Sequence, residues 1–351
     1  MISLSLAAFF LAIALVNVFT WPGVRRKQSR SSVAILIPAR NEEANLPTCL
    51  RSAQATAASE ILVYNDHSTD LTAAIVRAFA ALDPRIRLID PSPLPTGWAG
   101  KTFACHQLSL SAKSDWFLFL DADVQITPDA PARIVAEAEA RSVTMLSCWP
   151  RFEMASFWER VLMPMLNFVV FSIFPSPLMF HRREASLGLA HGACILLQRE
   201  AYRRTGGHLL VRNELFEDTR LAQTWRRIGE RGLCLDGSQV VNVRMYQNLR
   251  GIWSGFLKNF YPAFRHKANY WLFLALHLGV FLLPFLLGMW PAVGVIFATR
   301  LALALRFRQH LWSVLLHPFA EIILIVLGLA SFWRVVSGHG VSWKGREYRT
   351  T

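Results

Sequence analysis

A chain of 351 residues and 39.7 kDa is long enough for one sizeable α/β core plus extra segments, and too long for a small binding module. With 53% hydrophobic and 17% charged residues and a mean hydropathy of +0.30, it is too apolar to be wholly soluble or disordered. The net charge of +13 divides unevenly: residues 1–30 hold four basic and no acidic side chains, 31–236 hold 21 basic and 22 acidic, and 237–351 hold 12 basic and two acidic. The excess therefore flanks hydrophobic segments, where Lys and Arg mark cytoplasmic ends and attract anionic headgroups. The neutral middle argues against nucleic acid, which needs positive charge on the reading domain.

Ile2 to Trp21 is nearly continuous apolar sequence of bilayer-spanning length, followed at once by Arg25, Arg26, Lys27 and Arg30. The positive-inside rule predicts an outside N-terminus and a cytoplasmic domain over 31–262. No basic segment precedes the apolar run and no A-x-A site closes it, which disfavours a cleaved signal peptide. Next comes an alternation of strands and helices: strand Ser32–Pro38, helix Glu42–Ser52, strand Glu60–Asn65, helix Thr69–Ala81, strand Ile86–Ile89, helix Thr102–Ala112 and strand Trp116–Leu120. This order predicts an α/β fold with a doubly wound, mostly parallel sheet that binds ligands at the carboxyl ends of its strands. Residues 153–181 are aromatic and apolar but interrupted by charges and three prolines, and read as an interfacial helix pair or a buried core helix.

Membrane helices are expected again over 268–333: a hairpin from Ala268 to Thr299 broken by Pro284 and Pro291, then Leu311–Trp333. Arg300, Arg306 and Arg308 place the connection in the cytoplasm, yet the basic tail over 334–351 (Arg334, Lys344, Arg346, Arg349) prefers the same side. One of these segments is then re-entrant or interfacial. The five cysteines are scattered without a CxxC pair, which suits reduced thiols acting as small core hydrophobes.

Chemistry concentrates where strands end. Trp116–Leu120 runs into Asp121-Ala122-Asp123, two carboxylates at i and i+2, a donor set for Mg²⁺ or Mn²⁺ that completes its shell with water and diphosphate oxygens; a bare DxD is otherwise a solvated turn. Asp66 after the second strand is placed to accept from a uracil imide or to position a ribose, and its loop also serves to cap the next helix. Pro38, Arg40 and Glu42 close the first strand, with Arg40 available to phosphate and the carboxylates to the nucleoside. Lys101, after a turn-rich loop, is available to neutralise diphosphate. Glu217-Asp218 opens a helical run, where a carboxylate either caps the helix or deprotonates an acceptor hydroxyl. Arg250, ahead of the membrane hairpin, suits a departing diphosphate or a lipid headgroup, and His191-Gly192 offers a close backbone approach.

Taken together, IPARNEE, YNDHSTD, LPTGWAGKTFAC, FLFLDADV and GGHLLVRNELFEDTRLA resemble a family 2 glycosyltransferase of the GT-A fold over residues 33–260. GWAGK followed by DADV, GGH and ED is similar to the membrane-bound branch that includes carotenoid- and hopanoid-associated glycosyltransferases. The resemblance implies that Asp66 contacts the nucleotide base, that Asp123 holds metal and diphosphate with Asp121 beside it, that Asp218 is the base, and that the anomeric centre is inverted. Two departures bear on substrate: Asn65 stands where the family often has Asp, and Q-x-x-R-x-x-W replaces the Q-x-x-R-W of processive members, which argues against polysaccharide synthesis. The expectation is an inverting transfer from a nucleotide-diphosphate sugar, UDP-linked for preference, to a membrane lipid acceptor such as a carotenoid or hopanoid. It is set at the cytoplasmic face of a bacterial inner membrane in a multi-pass protein. A polyprenyl-phosphate glycosyltransferase and a non-catalytic sugar-nucleotide binder are the alternatives.

Overall fold

The computed structural model describes residues 1–338 and the backbone of Val341–Trp343 and Arg346–Tyr348, so Lys344 and Arg349 of the basic tail expected over 334–351 lie outside the described residues. Two compact units result, each assembled from separated stretches of chain.

The first unit, Pro22–Glu153 with Met179–Met245, is built on a seven-stranded sheet. Its strands are β1 (Val33–Ala39), β2 (Glu60–Asn65), β3 (Ile86–Ile89), β4 (Trp116–Leu120), β6 (Met145–Trp149), β8 (Cys194–Gln198) and β9 (Gly232–Asp236), in the order β3-β2-β1-β4-β8-β6-β9. Only β8 runs antiparallel to its neighbours. Every residue of β4, β6 and β9 is buried, as expected of strands covered on both faces. The register pairs Ala39 with Asn65 and Leu36 with Phe119, so the carboxyl ends of β1, β2 and β4 open side by side and deliver Arg40, Asp66 and Asp121 to one rim. A second sheet, β5 (Val124–Ile126), β10 (Val241–Val243) and β7 (Arg151–Phe152), begins directly after that rim. The strand boundaries expected for β2, β3 and β4 match those observed, and all five cysteines are free and buried.

The second unit gathers Met1–Trp21, Met154–Leu178 and the chain from Tyr246 on. Three of its helices are long and apolar enough to cross a membrane: Ile2–Thr20, Lys267–Leu286 and His317–Val336. The chain turns at Leu287–Met289, where Gly288 takes a φ of +64°, between the two arms expected of a membrane hairpin, but the second arm, Trp290–Arg306, is not among the helices long and apolar enough to cross. Pro284 sits inside the first arm, after a π-helical turn at His277–Leu282, and Pro291 opens the second arm, Trp290–Arg306. Arg300, expected in a cytoplasmic connection, instead lies within that second arm and is fully buried. It donates to the Pro164 carbonyl (3.3 Å) and stacks over the Phe168 ring (5.7 Å). Glu321 contacts His277 and lies 3.9 Å from His317, and all three are fully buried.

Helix Phe157–Ile173 begins at a capping box, Ser156 Oγ accepting from Glu159 N (3.3 Å) and Glu159 accepting from Ser156 N (2.6 Å). It buries Val161, Leu162, Met165, Phe168 and Phe171, so between the two readings of 153–181 this helix is the buried one. Its far end is held by Asn17, whose amide donates to the carbonyls of Phe171 and Phe174 (both 2.7 Å) and accepts from Ser176 N (2.9 Å). Helix carbonyls lacking intrahelical partners are thereby satisfied away from water.

Candidate active site

The rim of the main sheet is shaped by two interlocked loops. After β1, Asn41 adopts a φ of +51° and its side chain accepts from Thr69 N (2.9 Å), while its own N–H donates to Ser68 Oγ (3.0 Å). Glu42 N donates to Thr72 Oγ1 (2.9 Å), Glu43 N to Asp70 Oδ2 (3.0 Å), and Leu71 N to Glu43 Oε2 (3.1 Å). Arg40 donates to the Asp66 carbonyl (2.6 Å), so this guanidinium fixes the β2 loop. Asp66 is buried and donates its N–H to Ala39 O (2.8 Å). The Asp70 carboxylate, accepting from Glu43 N and Thr72 N, and the backbone of Asp66 thus tie the two loops together.

Asp121-Ala122-Asp123 is a turn closed by Val124 N donating to Asp121 O (3.1 Å), and Asp121 N donates to Ala193 O (3.4 Å). Burial, followed by the negative charges of Asp121 and Glu42, pushes the Asp123 carboxyl up to about 7. Helix Gly100–Ser111 presents Lys101 from its first turn. The loop before it is fixed by Ala99 N and Thr102 Oγ1, both donating to Arg212 O (2.6 and 2.7 Å), and by Trp98 stacked on His106 at 5.2 Å. The Lys101 ammonium bridges Asp121 Oδ1 (2.7 Å) and Glu217 Oε1 (2.8 Å). Burial opposes that charge, but Asp121 and Glu217 outweigh it and hold the pKa well above the ordinary lysine value.

Helix Glu217–Arg227 supplies the other wall. Asp218 accepts from Gly192 N (2.8 Å) and from its neighbour Thr219 N (2.6 Å), and burial together with the Glu217 charge raises its carboxyl to about 7. Gly192 is where these groups meet: a Cβ there would lie 3.1 Å from Lys101 Nζ and 3.4 Å from both Asp121 Oδ2 and Asp218 Oδ2. Any side chain would fill the space between the lysine and the two carboxylates. The adjacent imidazole of His191 is kept neutral, its pKa lowered to about 3 by burial and then by the Lys101 charge.

Lys101, Asp121, Asp123 and Asp218 therefore belong to one acidic cleft crossed by a single lysine, with Asp66 and Arg40 on the neighbouring strand ends. Arg250 is in the other unit, in the first turn of helix Leu249–Asn259, and exposed. Gly192, expected from sequence to allow a close backbone approach, is where the side chains converge, and Glu217, in sequence one of a pair suited to capping or proton transfer, holds Lys101. Gly206-Gly207-His208 is a packing motif: Gly207 has a φ of +53°, a Cβ there would overlap the Tyr202 ring, and His208 Nδ1 meets the Tyr202 hydroxyl at 2.8 Å.

Excess carboxylate in a partly dry cleft suits a divalent cation. The carboxylates at Asp121 and Asp123 suit Mg²⁺ or Mn²⁺, which take one or two carboxylates and fill the rest of the shell with water and substrate oxygens. A doubly wound sheet whose central strand ends in such a pair, faced by a lysine and a buried carboxyl, is the arrangement that the resemblance to GT-A glycosyltransferases leads one to expect.

Comparison with known proteins agrees. Residues 34–206 match Glycosyl transferase family 2. A 4,4'-diaponeurosporenoate glycosyltransferase of Staphylococcus haemolyticus is 28% identical over 64% of this chain, a match spanning 59% of that relative. One of the same name from Staphylococcus aureus is 27% identical over 91% of this chain and 89% of the relative. Among solved structures, the mannosyltransferase PcManGT from Pyrobaculum calidifontis, in complex with GDP-Man and Mn²⁺, superposes with a TM-score of 0.56 at 19% identity, covering 95% of this chain and 98% of that one. The similarity to glycosyl transferase family 2 spans residues 34–206, which include Asp66, Lys101, Asp121, Asp123 and Gly192.

Proposed function

We propose that this protein is an inverting glycosyltransferase that moves a sugar from a nucleotide-diphosphate donor, UDP-linked for preference, to a membrane lipid of the carotenoid type. The catalytic part faces the cytoplasm and the three apolar helices span the inner membrane. The observation that carries the reading is the convergence of Lys101, Asp121 and Asp218 on the space beside Gly192. The acceptor class is supported by the names of the curated relatives.

In this reading Asp66 and the β1 and β2 loops, including Pro38 and Glu42, hold the nucleoside. Asp123 and Asp121 hold Mg²⁺ or Mn²⁺. When bound, the cation supplies Lewis-acid stabilisation to the diphosphate. Lys101 exchanges its Asp121 partner for diphosphate oxygens. Asp218, oriented by Gly192 N–H, takes the proton of an acceptor hydroxyl as its oxygen attacks C1 from the face opposite the departing diphosphate. An acceptor carboxylate, which the relatives' name denotes, arrives ionised and leaves Asp218 only an orienting task.

The test is transfer by detergent-solubilised protein, with and without Mn²⁺, from UDP- and GDP-sugars to a polyene alcohol and a polyene carboxylic acid. Metal-dependent release of nucleoside diphosphate with a new glycolipid is expected. A phosphate-linked product would favour polyprenyl phosphate as the acceptor. Binding of nucleotide without release in any combination would leave a sugar-nucleotide binder.

A further inference from the structure

The ammonium of Lys101 stands on one of the two carboxylates read above as cation ligands. It lies 2.7 Å from Asp121 Oδ1 and 2.8 Å from Glu217 Oε1, while the other oxygen of Asp121, Oδ2, faces Gly192. The backbone around it is pinned, because Ala99 N and Thr102 Oγ1, on either side, both donate to the Arg212 carbonyl. The four-carbon stem is then the part that can move. The side chains of Lys101 and Asp121 are 24% and 32% exposed, so solvent and solutes reach the bridge. The same ammonium also offsets negative charge at Asp123 and at Asp218.

We propose that Lys101 is an internal competitor for the divalent cation: it holds Asp121 until the diphosphate of a nucleotide draws the ammonium away, so that cation and nucleotide diphosphate bind cooperatively. The inference rests on the reading of Asp121 and Asp123 as the cation site given above. An ammonium and a divalent cation on one carboxylate repel each other across a partly dry cleft, where screening is weak. A cation arriving alone must therefore break the Lys101–Asp121 pair with nothing to offset the loss. A diphosphate offers the ammonium new oxygens and adds negative charge for the cation, which removes that obstacle. By linkage, the factor that the nucleotide adds to cation affinity is the factor that the cation adds to nucleotide affinity.

The test reads Mn²⁺ binding directly, from loss of the free-ion electron paramagnetic resonance signal, on detergent-solubilised full-length protein with and without UDP. Lys101→Ala should bind Mn²⁺ about tenfold more tightly than wild type in the absence of UDP, within the usual range of coupling between two sites. The factor by which UDP strengthens Mn²⁺ binding should fall by about the same tenfold. Propylammonium, which replaces the atoms deleted in Lys101→Ala, should weaken Mn²⁺ binding to the variant back toward the wild-type value. Tetramethylammonium at equal concentration carries the charge without an N–H and should not.

Equal Mn²⁺ affinity in wild type and Lys101→Ala would overturn the inference. So would tighter binding that propylammonium does not reverse, which would assign the effect to charge acting at a distance and not to occupancy of Asp121. If Lys101→Ala does not fold, as judged by its melting temperature, Lys101→Gln takes its place in the affinity comparison, with the same overturning result. Absence of Mn²⁺ binding to wild type with UDP and to the variant would defeat the cation site itself and the inference with it, whereas Mn²⁺ bound by wild type with UDP leaves that site standing whichever way the variant decides.

Discussion

The two units bury charge in opposite ways. In the catalytic unit, Asp121, Asp123, Glu217 and Asp218 crowd round one lysine, so negative charge is in excess and two carboxyls are driven up to about 7. In the membrane-helix unit, Glu321 is the single acid between residues 237 and 338, and it is met by His277, His317 and the buried Arg300. The first cluster carries an excess of negative charge, which suits a cation; the second offsets the charge of Glu321 with that of Arg300 inside the fold, while Arg300 Nε and Nη2 and Glu321 Oε2 make no hydrogen bond. An unbalanced cluster stores a function at some cost in stability, whereas a balanced one fastens helices where water cannot solvate their polar groups.

Variants should therefore behave in crossed fashion. Asp218→Asn has the largest expected effect: transfer to a hydroxyl acceptor falls by about 10³, the usual worth of a general base. Melting temperature holds or rises, because a buried carboxyl with a raised pKa is removed. Donor release and differential scanning calorimetry on one preparation check both halves, and joint loss of fold and activity would erase the contrast. Glu321→Leu should do the reverse. It leaves Arg300 buried without the acid that offsets its charge and costs about 3 kcal/mol of stability, read as a lower melting temperature in detergent, while UDP affinity is retained.

A third test uses pH. Asp123 and Asp218 sit near 7 in the fold against an ordinary 3.8, so the folded chain binds protons that the unfolded chain has released. Their contribution to stability is full below about pH 4 and is lost as pH rises through 7. Mn²⁺, which binds the ionised form, should raise the melting temperature more at pH 8 than at pH 5; equal shifts would show that the acidic cleft is not the cation site. The smallest effect is at a helix end. Ser156→Ala removes the capping-box acceptor and should cost about 1 kcal/mol in thermal unfolding, without changing UDP affinity.

Much of this architecture is legible along the chain because it is written in local pattern. Buried strands such as WFLFL and EILVYN declare themselves by unbroken apolar runs, and the carboxylates that follow them inherit a predictable place at the strand ends. Arg300 was misjudged for a related reason. A charge within an apolar run looks like a boundary, and only helices packed round it reveal a buried position. Residues 153–181 posed the same difficulty, since Glu159 and Pro164 interrupt the run while packing buries the helix regardless.

By itself, then, the sequence determined the alternating α/β order, the apolar helices and the identity of the acids, since each depends on residues near in the chain. Only the tertiary structure decided that Gly192 leaves space between Lys101, Asp121 and Asp218, and that Glu217 holds the lysine. These relations join the end of β4, the loop before β8 and two helices across 20 to 117 residues of chain, and no local periodicity records a distance closed by folding.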